Sequence, residues 1–175
     1  VVDVIQKEEL KKKLSSGKSD ADSHLFCQAI SATKHKDIEK AIEEIVLKTA
    51  GAFCLVILTK DKLIGLRDGH GFHPLVLGKI KNGYTIASED SAFPLINAKY
   101  IREIKPGEMI VIDKDSFRTK QLIPCKQKSL CIFEHIYFAR PDSNVFEENV
   151  AIIREKIGQR LAQEHPVEAD IVIPV

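Results

Sequence analysis

Cys131-Ile132-Phe133-Glu134-His135-Ile136-Tyr137-Phe138-Ala139-Arg140-Pro141-Asp142-Ser143 divides this chain into two kinds of sequence. Before it lie short strand-like runs broken by Gly and Pro. After it come one amphipathic helical pattern and a final apolar run. Phe133, Tyr137 and Phe138 make the stretch too aromatic for a flexible linker. Arg140-Pro141-Asp142-Ser143 ends any regular structure, since proline bars the helical region to the residue before it. A connector this apolar is expected to be buried, with the two sides docked together.

Upstream, Val1 to Leu14 suggests a short helix with a solvated Lys11-Lys12-Lys13 face, and Ser15 to Asp20 a polar loop. Asp22-Ser23 opens a helix with Leu25, Cys27, Ala29 and Ile30 on its apolar side. Asp37 caps a second, Ile38 to Thr49, which Gly51 closes. The period then changes. Ala52 to Leu58 is continuously apolar, as in a strand buried on both faces. Lys62 to Arg67 returns from a turn at Lys60-Asp61, and Asn82-Gly83 marks a hairpin between Pro74 to Ile80 and Tyr84 to Ala87. Ser91 to Asn97 reads as a short helical turn. Tyr100 to Ile104, Glu108 to Asp113 and Phe117 to Ile123 are further strands, the first two joined at Pro106-Gly107. Helices followed by five or six largely antiparallel strands indicate an α+β layered domain.

Downstream, Val150, Ile153, Ile157 and Leu161 keep helical spacing up to His165-Pro166. Ile171 to Val175 reads as the first strand of a new, parallel sheet.

With 175 residues, 44% of them hydrophobic, the chain can bury a full core. Its 26 basic and 25 acidic residues give no electrostatic case for nucleic acid or an anionic membrane. No apolar run approaches the ~18 residues of a membrane span and no signal-peptide pattern opens the chain, so a cytoplasmic location is expected. Cys27, Cys54, Cys125 and Cys131 show no CxxC spacing, and all but Cys125 sit in apolar patterns that predict buried thiols.

Phosphate-loop, dinucleotide and H-E-x-x-H motifs are absent. His70 and His73 lack the accompanying carboxylates or Cys that a metal site needs, which favours loop packing. The loop Arg67-Asp68-Gly69-His70-Gly71-Phe72-His73-Pro74-Leu75 forces a tight path at the end of a buried strand, where pockets often form. It reads equally as a structural turn in which Arg67 and Asp68 satisfy one another or the backbone. Asp22 is either the N-cap of its helix or a carboxylate presented to a ligand ammonium.

Four blocks, in this order and spacing, resemble the amidophosphoribosyltransferases: 67–78, Ala87-Ser88-Glu89, Lys105-Pro106-Gly107-Glu108 and Cys131 to Ser143. Val167 to Val175 fits the same family, so the resemblance runs over roughly residues 20–175. The Cys131 to Ser143 block is highly specific, whereas the loop alone would separate this family poorly from other class II glutamine amidotransferases.

The resemblance implies part of an N-terminal-nucleophile glutaminase, an α/β/β/α sandwich, joined to a type I phosphoribosyltransferase α/β domain. Residues 1–130 would be partial glutaminase, 131–149 the interdomain joint, and 150–175 the first helix and strand of the transferase. The family hydrolyses glutamine with an N-terminal Cys and passes ammonia to phosphoribosyl pyrophosphate, giving phosphoribosylamine in the first step of purine synthesis. That Cys, with the rest of the catalytic set, is expected before Val1, and the phosphate loop with its Mg2+ after Val175. No catalytic residue is therefore expected in this chain, which alone would be inactive, and the full-length protein would be a homo-oligomer. One substrate contact carries over: Ala21-Asp22-Ser23-His24 aligns with the family's motif at a helix start, placing Asp22 opposite the glutamine ammonium. Ala21 and His24 depart from that motif. Cys131 matches the cysteine that supplies one ligand to a [4Fe-4S] cluster in some members. Gly69 stands for the usual Pro, His73 for the usual Arg and His135 for the usual Tyr, and the loss of a permanent cation at His73 puts a salt bridge behind the loop in doubt. The alternatives are a class II amidotransferase acting on a sugar phosphate, or a degenerate member serving as a binding or regulatory module.

Overall fold

Ile110 and Ile112 on one side of a strand, Met109 and Val111 on the other, are all buried, and this strand is the spine of the molecule. A computed structural model describes residues 21–114 and 116–173. The helix and loop expected over 1–20 lie outside the described residues.

Helices α1 (Asp22–Ser31) and α2 (Ile38–Leu47) pack on a four-stranded antiparallel sheet in the order β1-β2-β6-β7, formed by Cys54–Leu58, Lys62–Arg67, Glu108–Asp113 and Ser116–Gln121. Asp37 caps α2 by accepting the Glu39 N–H at 3.0 Å. Phe26, Ala29, Ile42 and Val46 meet Ile64, Leu66, Met109 and Val111 in one apolar core. The opposite face of the same sheet packs on a second one, β4-β3-β5, formed by Gly83–Ala87, Val76–Ile80 and Lys99–Glu103. There Ile110 and Ile112 meet Leu75, Leu77 and Ile104. Gly65 allows this close approach: a Cβ at that position would lie 2.7 Å from Ile86 Cδ1 and 2.9 Å from Ile110 Cγ2.

The described residues thus form three layers, helices on sheet on sheet, the α+β class that the sequence pattern predicts. Its seven main strands exceed the five or six read from the sequence. Three other expectations change. Ala52 to Leu58 is not buried on both faces: β1 is an edge strand, with Val56 and Leu58 exposed. Pro106-Gly107 is no hairpin turn, because β5 pairs with β3 while β6 pairs with β2, making it a crossover between sheets. The β3–β4 turn is Lys81-Asn82, with Gly83 already paired to Ile80.

Past β7, the chain enters a π-helical turn (Glu134–Phe138), then a ribbon of β8 (Asn144–Val145) and β9 (Glu148–Asn149), then α3 (Val150–Glu164). Asn149 caps α3 on the Ile152 N–H at 3.2 Å. Only Val150 of α3 is buried. Ile171 to Ile173 lie in no strand and are exposed, and the expected strand's last two residues are outside the described ones. Among the described residues no helix is long and apolar enough to cross a membrane.

Candidate functional site

The tight loop after β2 is built around a buried carboxylate. Asp68 is fully enclosed and takes four backbone N–H groups: His70 at 2.8 Å and Gly71 at 2.9 Å on Oδ1, Phe53 and Phe72 both at 3.3 Å on Oδ2. Gly71 makes the path passable, with φ +68 and Arg67 and Pro106 against its open side. Arg67, 1% exposed, donates to Glu103 Oε2 (3.1 Å), the Ile104 carbonyl (2.7 Å) and the Gly71 carbonyl (3.0 Å). Asp68 therefore satisfies the backbone, and Arg67 the backbone and Glu103, rather than one another.

Glu108 works in the same way one strand away. Burial alone would raise its carboxyl, but the Arg102 guanidinium, doubly bonded at 2.8 Å, and the Lys105 N–H more than offset this and hold it below the usual carboxylate range.

The connector is fastened to this body through main-chain groups. Ser129 N–H donates to the His70 carbonyl and Cys131 N–H to the Phe72 carbonyl, each at 3.0 Å. Glu89 accepts from the Arg140 N–H at 2.8 Å and from the Ser143 hydroxyl at 2.5 Å. Asp90 takes both the Asn144 N–H and its side-chain amide at 2.8 Å. From the far side, Arg154 of α3 donates to the His135 carbonyl at 2.6 Å and the Ala139 carbonyl at 2.9 Å.

His73 corrects the doubt about a salt bridge behind the loop: its Nδ1 lies 2.6 Å from Glu134 Oε1, a contact that is ionic when the imidazole is protonated. His70 turns elsewhere, to the Gln127 carbonyl at 3.1 Å.

Burial of the connector is the expectation that fails most clearly. Its polar residues Glu134 and His135 are inside, while Phe133 (56% exposed), Tyr137 (77%) and Phe138 (59%) face outward. The π turn rotates the side chains this way, because Glu134 must reach His73 and His135 must reach the Val145 carbonyl at 3.2 Å.

Of the sequence-level site residues, Asp22 is the first residue of α1 and partly buried, while Ala21, not Asp22, occupies the N-cap position. A carboxylate in the first turn sits at the helix's positive end. Cys131 is partly buried, its N–H on the Phe72 carbonyl. A [4Fe-4S] cluster needs four cysteine ligands. Among the described residues no group of three or more His, Cys, Asp or Glu could hold a metal ion, so Cys131 fits at most one corner of such a cluster. Glu103 and Phe146, central to the junction, gave no signal in the sequence. Glu103 falls in an ordinary strand pattern, and Phe146 sits in a short polar stretch.

Cys27 is exposed on α1 instead of buried, since at helical spacing it falls outside the face that Leu25, Phe26 and Ala29 bury. Cys54 is the thiol that burial governs: desolvation pushes it up to about 12, Arg67 opposing and Asp68 and Glu134 adding. At pH 8, iodoacetamide is expected to label Cys27 and Cys125 while sparing Cys54, which peptide mass mapping would read. The folded thiol titrates above the free one. Its contribution to stability is intact below pH 9.0 and lost as pH rises toward about 12, so Cys54→Ala should flatten the alkaline limb of the melting curve.

A glutamine amidotransferase domain model matches residues 3–94. Amidophosphoribosyltransferase 2, chloroplastic, of Arabidopsis thaliana is 42% identical over 156 residues, 89% of this chain and 28% of the relative. Amidophosphoribosyltransferase of Bacillus subtilis (strain 168) is 34% identical over 169 residues, 97% of this chain and 36% of the relative. The solved glutamine phosphoribosylpyrophosphate amidotransferase from Bacillus subtilis, complexed with ADP and GMP, superposes with a TM-score of 0.90 at 33% identity, covering 95% of this chain and 38% of that one. The chain spans between about a quarter and just over a third of the length of these relatives. Because the domain model covers more than half of its residues, the chain belongs to the glutamine amidotransferase domain family, in company with the amidophosphoribosyltransferases.

Proposed function

We propose that the protein containing this chain hydrolyses glutamine and transfers the ammonia to phosphoribosyl pyrophosphate, giving 5-phosphoribosylamine. Water cleaves the side-chain amide to glutamate and ammonia. The ammonia nitrogen then bonds to C1 of the sugar phosphate as the C1–O bond to pyrophosphate breaks, and the surplus proton leaves with solvent. Mg2+ would shield the pyrophosphate, held by residues outside this chain. The observation that carries the reading is the interlock of the four family blocks. The connector gives its Cys131 N–H to the Phe72 carbonyl and its Arg140 N–H to the Glu89 carboxylate, the Gly107 N–H donates to the Asp68 carbonyl, and the buried carboxylates of Asp68 and Glu108 brace their own loops by accepting main-chain N–H groups.

In this reading residues 1–130 belong to the glutaminase, 131–149 to the joint, and 150–175 begin the phosphoribosyltransferase domain. The outward apolar side chains of the π turn and of α3 suit cover by that second domain. Asp22, at the positive end of α1, would pair with the glutamine ammonium. The test is a paired assay on the protein containing this chain, counting glutamate released and phosphoribosylamine formed, with and without phosphoribosyl pyrophosphate. Asp22→Asn should raise the glutamine KM at least tenfold while leaving amination by free ammonium chloride unchanged. Glutamate release with no amination of the sugar phosphate would overturn the proposal.

A further inference from the structure

Phe146 and Glu147, the two-residue turn between β8 and β9, both have left-handed backbone, at φ +55 and +69. A turn of this kind normally takes Asn-Gly or Asp-Gly, and a bulky side chain in that region is an outlier. Such strain persists only where the surroundings over-determine it. Here they do so from three directions. The Phe146 N–H donates to Glu103 Oε1 at 2.6 Å, while the other oxygen of that carboxylate receives Arg67. The ring lies 5.7 Å from the Arg67 guanidinium carbon, on a side chain whose Nε finds no hydrogen-bond partner among the described residues. Its other neighbour is the His135 ring, edge-on with centroids 5.7 Å apart. His135 is itself tied to the carbonyl of Val145, the residue before the turn. The same ring walls a cleft of about 270 Å³ together with Arg67, Glu103 and Leu130.

Phe146 thus meets the Arg67 loop and the connector's π turn through its ring and strand β5 through its main-chain N–H. We propose that it is a positioning residue: its strained turn clamps the π turn to the Arg67 loop and so sets the geometry in which ammonia passes between the two reactions. This rests on the function proposed above.

The clamp is tested with Phe146→Ala, Phe146→Leu and Phe146→Tyr in the protein containing this chain. Losing one cation–π and one aromatic contact corresponds to about a tenfold change in the clamped population. Glutamine consumed per phosphoribosylamine formed should rise about fivefold to tenfold in the Ala and Leu variants, with glutamine KM within about twofold of the parent. Phe146→Tyr, which keeps the ring, should restore the parental ratio. Backbone hydrogen exchange over 131–139 should quicken about tenfold in the same two variants and not in the Tyr variant. Equal loss of both half-reactions in Phe146→Leu would reduce the residue to packing and overturn the clamp. If the parent forms no phosphoribosylamine, the functional reading fails first. The exchange measurement then decides alone, and unchanged exchange in Phe146→Leu overturns the clamp.

Discussion

Asp68→Ala should unfold the loop that follows β2 and cost the fold about 3–5 kcal/mol, read as a lower urea midpoint. The carboxylate is wholly buried and is the shared acceptor for the Phe53, His70, Gly71 and Phe72 N–H groups. Alanine leaves the Phe53, His70 and Phe72 N–H groups without this acceptor, and the Gly71 N–H with only the main-chain carbonyl of residue 68 at 3.2 Å. Their desolvation costs are not additive, because the loop can open and expose several at once, which caps the loss near the range of a broken buried ion pair. Asp68→Asn separates charge from shape. Its carbonyl oxygen can keep the two short bonds from His70 and Gly71, but its NH2 would then point at the Phe53 and Phe72 donors. About half of the alanine loss is expected. A loss equal to that of alanine would mean that the negative charge, not the acceptor count, holds the loop.

The layered fold was legible because its signals are local. Asp37 before an amphipathic run, glycines at sharp reversals and short apolar runs between turns each follow from a few neighbouring residues. Sheet assignment was not legible in the same way. Lys99–Glu103 and Glu108–Asp113 look like a hairpin through Pro106-Gly107, and only tertiary contacts send them to different sheets. The connector misled for a related reason. Its composition is that of a buried segment, but a π turn shifts side-chain direction relative to an α-helix, and two polar anchors, His73 and Val145, decide which side faces in. Of the candidate site residues, the helix position of Asp22 could be read locally and its cap role could not. The cap falls to Ala21 through backbone conformation that one sequence does not encode visibly. Glu103 was missed because a strand glutamate is unremarkable until a buried arginine is placed opposite it.

That pairing gives the second large expected effect. Arg67→Met should cost about 3–5 kcal/mol, as removal of one partner from a buried pair does. The methionine fills similar space, so the loss is electrostatic: Glu103, 15% exposed in its side chain, keeps only the Phe146 N–H, and the Ile104 and Gly71 carbonyls each lose a donor. Glu103→Gln alone should cost less, about 1–2 kcal/mol, since its amide oxygen can still accept from Phe146 or from Arg67. The double variant decides how the network is built. If the charges act mainly on one another, the two losses overlap and the double variant should be no worse than Arg67→Met, a coupling of about 1–2 kcal/mol in a denaturant cycle. If they add in full, Arg67 serves the two carbonyls and the Phe146 ring, and the carboxylate serves the turn at Phe146 by itself. The geometry favours overlap, because one carboxylate bridges the guanidinium and the Phe146 N–H through its two oxygens, so loosening either contact frees the other.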